Sequence, residues 1–131
     1  MNLDLEKITK IILKHHPNCQ AIYLFGSYAS GEQKENSDVD LAVLLAPSKN
    51  EKTVNFVMSD LQSELEKALN KDVDLLNLRN ISTVFQFQII SKGKLIFCAN
   101  RFAKDEFEML TISFYQKLNE ERKEITKNLL K

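Results

Sequence analysis

The chain has 131 residues, of which 44% are hydrophobic and 27% charged, with three Gly and two Pro. This balance excludes a low-complexity or disordered protein and predicts one globular domain over residues 1–131. Eighteen basic residues are matched by eighteen acidic ones, so no bulk positive field is present and stable nucleic-acid binding is not expected.

The first half of the chain predicts two helices and two strands. Apolar residues recur at helical spacing over about Leu3–Lys14, and Pro17 stops that helix. Ala21–Phe25 and Val39–Leu45 are short apolar runs typical of strands. Only a short helix, ended by Gly31, fits between them.

The second half continues the alternation of helices and strands. Helices are predicted over about Asn50–Leu69, Ser82–Ser91 and Ala103–Leu130, and strands over Val73–Leu78 and Lys94–Cys98. This order predicts an α/β or α+β fold, in which helices pack against a small mixed sheet of about four strands.

The last predicted helix is long for so small a protein. One helical stripe along it is apolar and consists of Phe107, Leu110, Phe114, Leu118, Ile125 and Leu129. Two arrangements fit this stripe. Part of it covers the sheet while the far end contacts another protein, or the whole helix folds back on its own domain.

The sequence has no recognisable secretory or membrane-spanning segment. The N-terminal residues lack the continuous apolar core of a secretory signal, and no stretch approaches the length that spans a bilayer. The expected compartment is therefore the cytoplasm, with no membrane partner.

Asp38 and Asp40 form the first candidate site. Alternate residues of a strand point to the same face, so the two carboxylates project together while Val39, Leu41 and Val43 project to the other side. Paired carboxylates repel each other unless a cation lies between them. Oxygen donors of this kind suit Mg²⁺, which keeps waters and takes its other ligands from substrate phosphates.

A third carboxylate is available from the next strand. Asp72 and Asp74 share one face there, and the period of the strand does not choose between them. If this strand lies beside the one that carries Asp38 and Asp40, either residue completes a site able to hold two metal ions for a phosphoryl transfer.

Gly26 and Ser27 form the second candidate site. They lie where a strand ends and a short helix begins, and free backbone N–H groups at such a point favour an anion. Glycine allows a phosphate to approach the backbone, and the Ser27 hydroxyl adds a donor. Phosphates at one end and metal ions at the other constitute a nucleotide site. Arg79, Arg101, Lys34 and Tyr28 are weaker candidates for contacts with phosphate or partner.

The spacing of these motifs resembles a known family. Gly26-Ser27, ten residues and then Asp38-Val39-Asp40 match the GS-x10-DxD signature of the DNA polymerase β-like nucleotidyltransferases. The fuller GSYASG and SDVDLAV resemble their minimal bacterial and archaeal members. The resemblance extends more weakly to KDVDLLNL, to GKLIF and to Phe107-Glu108, and it implies the polymerase β-like fold with a long C-terminal helix.

The resemblance implies a role for each matching residue. Asp38 and Asp40 would ligate Mg²⁺, with two ions expected, and Asp74 would be the third carboxylate and accept the proton of the acceptor hydroxyl. Gly26 and Ser27 would hold the triphosphate of ATP. This assignment leaves Asp72 without a role.

Many minimal nucleotidyltransferases resemble antitoxins that are paired with a HEPN-domain ribonuclease toxin. The resemblance therefore implies an enzyme that transfers AMP from ATP to a tyrosine of its cognate toxin and forms a hetero-oligomer with it. Two alternatives stay open. The acceptor could be a small hydroxylated molecule such as an aminoglycoside, or the protein could neutralise its partner by contact alone.

Overall fold

The computed structural model describes residues 3–47, 56 and 59–129 of the chain. Four strands form one mixed sheet: β1 (Cys19–Phe25), β2 (Val39–Leu45), β3 (Val73–Asn77) and β4 (Lys94–Cys98). Their order across the sheet is β3-β2-β1-β4. Strand β1 is antiparallel to both β2 and β4, whereas β2 and β3 run parallel. The prediction of a small mixed sheet is confirmed.

Five α-helices accompany the sheet in the described residues: α1 (Leu5–His15), α2 (Ser27–Ser30), α3 (Asp60–Leu69), α4 (Thr83–Lys92) and α5 (Arg101–Leu129). A 3-10 turn, Leu78–Asn80, follows β3. Every predicted helix and strand is therefore present, and the boundaries differ by a few residues except in α3.

Side-chain caps set where three of the helices begin. The carboxylate of Asp4 accepts a hydrogen bond from the Lys7 N–H, and the Ser59 hydroxyl accepts one from Gln62, both at 3.1 Å. The Ser82 hydroxyl caps α4 in the same way. Such caps satisfy backbone donors that have no partner inside the helix.

The largest boundary difference concerns α3. The prediction began this helix near Asn50, but the cap at Ser59 begins it at Asp60. Residues 48–55 and 57–58, which include the first part of the predicted apolar repeat, lie outside the described residues. At the C-terminus, Asn100 accepts a hydrogen bond from the Ala103 N–H at 3.0 Å, so α5 begins two residues earlier than predicted. Leu130, the predicted last residue of that helix, also lies outside the described residues.

The sheet has a helix layer on each face. Val39, Leu41 and Val43 of β2 are fully buried in a cluster with residues of α1 and α3. The other face of β2 carries Ala42 and Leu44, which are buried beneath α4 and α5. The first residue of β2 on this second face is Asp40. One face of β2 is therefore apolar along its whole length, whereas the other carries a carboxylate before its apolar residues.

Helix α5 does not bury the stripe that the sequence predicted. Phe107 and Thr111 are its two buried residues, and Tyr115, one helical repeat further, stacks on Phe87 of α4 at 3.9 Å between ring centroids. The other members of the stripe with large exposure are Leu110, Phe114, Ile125 and Leu129. The exposed far end agrees with the first of the two expected arrangements, in which only part of the stripe is covered. Helix α5 packs mainly on α4, with the arc that contains Phe107, Thr111 and Tyr115.

No helix in the described part of the chain is both long and apolar enough to cross a membrane. Helix α5 has the length, but charged residues recur along it. Much of its apolar surface is nevertheless uncovered, and Phe102 is 78% exposed. The helix therefore presents apolar side chains to its surroundings.

Candidate active site

The glycine turn after β1 lies directly against Asp40 of β2. Gly26 has a φ of 71°, in the region that side chains rarely adopt, and it precedes the four-residue helix α2. A Cβ atom added at Gly26 would overlap the Asp40 carboxylate. Phe25, the residue before this turn, pairs with Asp40 across the antiparallel strands. The Gly-Ser and Asp-x-Asp motifs therefore meet in space, and only glycine fits between them.

Helix α2 and the turn after it close as the sequence predicted. The Gly26 carbonyl accepts hydrogen bonds from the N–H groups of Ala29 and Ser30, each at 3.1 Å. Gly31 ends the helix in the left-handed conformation, with a φ of 80°. The helix therefore begins with its amide groups at Gly26-Ser27, beside the carboxylate of Asp40.

Asp74 lies opposite Asp40 in the sheet. The two residues are direct partners in the parallel register of β2 and β3, and Asp38 precedes β2 by one residue. The pKa of Asp40 is raised from 3.8 to about 6, first by burial of the carboxyl group and then by the charges of Asp74 and Asp38. The structure thus brings Asp38, Asp40 and Asp74 into electrostatic contact.

Asp72 occupies a different environment from Asp74. Its backbone carbonyl accepts a hydrogen bond from the Val39 N–H at 2.9 Å. Its side chain lines a separate polar cleft of about 650 Å³, together with Glu35, Asn36, Ser37, Glu66, Lys67, Asn70 and Lys71. Asp72 is not among the charges that shift the Asp40 pKa. Of the two aspartates between which the sequence did not choose, Asp74 is therefore favoured, because it pairs with Asp40 in the sheet and its charge acts on Asp40.

The oxygen donors of Asp38, Asp40 and Asp74 are of the kind that binds a divalent cation. Within the described ranges, no three His, Cys, Asp or Glu side chains converge closely enough to form a complete metal site by themselves. However, the raised pKa of Asp40 reflects burial first and then the like charges of Asp74 and Asp38, whose repulsion a cation would relieve. Mg²⁺ is commonly held by one or two carboxylates, with water and substrate phosphates completing its shell. An incomplete oxygen-donor set of this kind is therefore compatible with Mg²⁺.

A cleft of about 450 Å³ opens beside the glycine turn. Its lining combines the end of β1, helix α2 and one side of α4: Phe25, Gly26, Ser27, Ser30, Glu32, Phe85, Gln88, Ile89 and Lys92. The rings of Phe25 and Phe85 meet edge to face at 5.8 Å between centroids. Its volume is within the range of small-molecule sites, and its lining includes both residues that were predicted to hold phosphate.

The cations that the sequence suggested for phosphate contacts lie elsewhere. Arg79 Nε donates to the Leu45 carbonyl at 2.7 Å, at the opposite end of β2 from Asp40. Its guanidinium also donates to Gln20 at 2.9 Å and lies over the Phe107 ring. Neither Lys34 nor Arg101 lines the cleft at Gly26. Arg79 therefore has a structural role in the α4 and α5 layer.

Lys92 and Gln88 are the cleft residues that sequence reasoning missed. Both lie on α4, more than 60 positions from Ser27 in the chain. Nothing in their local sequence distinguishes them from exposed polar residues of any amphipathic helix. Tyr28, by contrast, is buried in the cluster beneath α1 and α3, where it packs α2 on the domain, and it does not line this cleft.

Comparison with known proteins identifies relatives that are similar in sequence to most of this chain. The chain is 40% identical to "Protein adenylyltransferase MntA" of Shewanella oneidensis over 129 residues, which are 98% of this chain and 88% of the relative. It is 30% identical to a protein of the same name from Aphanizomenon flos-aquae over 101 residues, which cover 72% of this chain and 64% of that one.

Two solved structures with the same fold contain a toxin and its antitoxin. A chain from a toxin–antitoxin crystal structure with AMP-PNP superposes with a TM-score of 0.80 at 38% identity, covering 98% of this chain and 100% of that one. A chain from a complex of tri-AMPylated Shewanella oneidensis HEPN toxin with MNT antitoxin gives 0.70 at 36% identity, with coverages of 97% and 96%.

The family described as polymerase beta, nucleotidyltransferase matches residues 6–102. That range contains the glycine turn, all three clustered carboxylates and the cleft beside α4. The fold, with its mixed four-stranded sheet and long C-terminal helix, agrees with the structural neighbours. This chain therefore belongs to the polymerase beta nucleotidyltransferase family.

Proposed function

We propose that this protein is a protein adenylyltransferase, which transfers AMP from ATP to a tyrosine of a cognate HEPN ribonuclease toxin and so neutralises it. The observation that carries the proposal is the contact between the Gly26 turn and Asp40, with Asp74 directly opposite. This contact supports one site for both nucleotide phosphates and metal ions. The relative with 98% coverage of this chain is itself named a protein adenylyltransferase.

The nucleotide is proposed to bind with its triphosphate at Gly26 and Ser27. Gly26 leaves its backbone open to a phosphate, and the Ser27 hydroxyl lines the same cleft. Asp38, Asp40 and Asp74 are proposed to hold Mg²⁺, for which two ions are expected. Bound there, Mg²⁺ would neutralise charge that develops on the phosphate oxygens during the transfer.

The transfer itself is an in-line substitution at phosphorus. The hydroxyl oxygen of the toxin tyrosine forms a bond to the α-phosphorus of ATP, and the bond from that phosphorus to the oxygen bridging the β-phosphate breaks. Pyrophosphate leaves with that oxygen. The hydroxyl proton passes to the carboxylate of Asp74, which is exposed on edge strand β3 and is accessible to an acceptor on another protein.

A protein acceptor fits the surroundings of the site better than a nucleic acid. The formal net charge of zero provides no general attraction for a polyanion. The exposed apolar residues of α5, including Phe102 and Met109, offer surface that a protein partner could cover. The Shewanella oneidensis toxin was found modified with AMP while in complex with its MNT antitoxin, which supports a hetero-oligomer here as well.

An AMP-transfer assay tests the proposal. The purified protein is incubated with ATP labelled on the α-phosphate, Mg²⁺ and the product of the neighbouring gene, and AMP on that product is located by mass spectrometry. We expect label on a tyrosine of a HEPN protein. Label on a small hydroxylated molecule, with none on the protein, would instead identify the alternative acceptor class.

A double variant separates catalysis from neutralisation by contact. Asp38→Asn with Asp40→Asn removes two charges from the proposed metal site, whereas Asp72→Asn removes one charge nearby and serves as the matched control. We expect the double variant to fail both in AMP transfer and in rescue of cells that express the toxin. Rescue by the double variant, without transfer, would show that contact alone neutralises the toxin.

A further inference from the structure

The cleft beside the glycine turn has one basic side chain. Two charged residues line it, Glu32 from the turn after α2 and Lys92 from the last turn of α4. Asp40 lies against Gly26 of this lining, Asp74 pairs with Asp40 across the sheet, and the charges of Asp74 and Asp38 act on Asp40. A triphosphate placed at Gly26 and Ser27 would therefore meet mostly negative charge, and a nearby cation would reduce that repulsion.

The backbone holds the end of α4 close to the glycine turn. Gly93 follows Lys92, and its N–H donates to the Ile89 carbonyl at 2.8 Å. A Cβ added at Gly93 would overlap that carbonyl and lie 3.1 Å from the carbonyl of Leu24. Leu24 is two residues before Gly26. The start of the Lys92 side chain is thus fixed near the end of β1 by tight backbone packing.

Lys92 is available for a ligand. Its side chain is exposed, and within residues 3–47, 56 and 59–129 it makes no ion pair. Other cations are engaged elsewhere: Lys71 donates to the Glu35 carbonyl at 2.9 Å, and Arg79 donates to Leu45 and Gln20. Among the lining residues, Lys92 is therefore the one side chain that can supply positive charge to this cleft.

We infer that Lys92 is the phosphate-binding cation of this site and contacts the β- and γ-phosphates of ATP. The inference rests on the proposed function, because it assumes that the triphosphate occupies Gly26 and Ser27. A lysine ammonium is a compact charge on a flexible stem and can follow the phosphates as pyrophosphate separates. Its contribution is to affinity for the triphosphate, whereas the carboxylates act at the α-phosphate.

Because Lys92 contacts the β- and γ-phosphates and the carboxylates act at the α-phosphate, Lys92 is selective for a triphosphate over a monophosphate. AMP carries only the phosphate that lies toward the aspartates, so loss of the Lys92 charge leaves AMP binding unchanged. The analogue AMP-PNP keeps the complete phosphate chain, and because its imido group lies between the β- and γ-phosphates, it is titrated in the absence of an acceptor. A comparison of the two ligands therefore isolates the contact that Lys92 makes.

Calorimetric titration of the full chain with AMP-PNP and with AMP, in Mg²⁺, tests the inference. The variants are Lys92→Gln, Lys92→Arg and, as a matched control, Lys94→Gln. Lys94 is an exposed lysine two residues away that pairs with Leu24, whose side chain lies in the cluster beneath α1 and α3. The side chain of Lys94 therefore projects to the face of the sheet beneath α1 and α3, opposite the face that carries α4 and the cleft.

We expect Lys92→Gln to weaken AMP-PNP binding about tenfold, as for loss of a charge-assisted hydrogen bond, and to leave AMP binding unchanged. Lys92→Arg should restore most of the affinity, and Lys94→Gln should bind both ligands like the wild type. Equal AMP-PNP affinity in wild type and Lys92→Gln would overturn the inference, as would equal loss for both ligands. Failure of the wild-type protein to bind AMP-PNP at all would instead overturn the proposed function.

Discussion

The two faces of the sheet differ in what they hold, although they share the same strands. Beneath α1 and α3, the side chains of Val39, Leu41 and Val43 are fully buried and the face is apolar from one end of β2 to the other. Beneath α4 and α5, Ala42 and Leu44 are equally buried, but the strand opens on Asp40. One face is therefore specialised for stability, while the other combines a core with a charged site.

This difference explains how a small protein tolerates a cluster of like charges. Burial at the edge of the core, and then the charges of Asp74 and Asp38, oppose the ionisation of Asp40 and raise its pKa. The apolar face on the other side of the same strand supplies the burial that holds β2 in place. Substitutions on the two faces should therefore separate activity from stability.

The largest difference in AMP-transfer rate is expected between substitutions of Asp74, in β3, and of Asp72, just before β3. Asp74→Asn should reduce the rate of AMP transfer by about 10³-fold, since it removes both a proposed metal ligand and the proposed proton acceptor. Asp72→Asn, whose side chain lines the separate polar cleft, should change the rate by less than about threefold. Initial rates with labelled ATP measure both. Equal losses in the two variants would contradict the assignment of Asp74.

A substitution on the apolar face should lower the free energy of unfolding rather than the rate of AMP transfer. Leu41→Ala removes a fully buried side chain and leaves a cavity, so the free energy of unfolding should fall by about 3 kcal/mol. Urea denaturation followed by circular dichroism measures it. Transfer per folded molecule should stay within about twofold of the wild type. A large loss of transfer in protein that is still folded would show that the two faces are coupled.

The glycine turn should affect both properties, because it joins the two motifs. Gly26→Ala places a Cβ where the Asp40 carboxylate lies and imposes a positive φ on alanine. We expect about 2 kcal/mol of lost stability and a large loss of AMP-PNP affinity. Gly31→Ala is the control, since it shares the positive φ but meets no atom within 4 Å. If both variants behaved alike, the contact with Asp40 would be irrelevant.

The charge cluster should make a small, pH-dependent difference in the metal-free protein. The pKa of Asp40 is raised from 3.8 to about 6 on folding, so the folded state binds the extra proton. The stability that this proton contributes is complete below pH 3.8 and is lost as the pH rises through about 6. Because Asp40 is partly exposed, we expect a loss of only about 1 kcal/mol.

Asp40→Asn should abolish this component of the pH dependence. Unfolding free energies of wild type and variant, measured in EDTA from about pH 4 to about pH 7, should diverge by about 1 kcal/mol in favour of the variant. Added Mg²⁺ should then stabilise the wild type more than Asp40→Asn. Parallel pH curves would mean that the neighbouring carboxylates do not act on Asp40.

The elements and much of the site were predictable because their signals are local. Alternation in Asp38–Val43 identified both the strand and the face of its carboxylates, and Gly26 and Gly31 identified the turn and the end of α2. The faces of α5 were predicted less well. Leu110 and Phe114 fit an apolar stripe, but the buried arc depends on where α4 lies, and helical periodicity carries no information about that neighbour.

By itself, the sequence determined the order of helices and strands, the pairing of a glycine turn with an Asp-x-Asp strand, and a resemblance strong enough to imply nucleotide chemistry. Only the tertiary structure favoured Asp74 over Asp72, because it pairs Asp74 with Asp40 across β2 and β3 and makes Asp74 a charge that acts on Asp40. The tertiary structure also removed Arg79 from the site and brought Lys92 to it. Both outcomes have one physical reason: contacts between residues distant in the chain are set by how layers pack, and local patterns do not encode them.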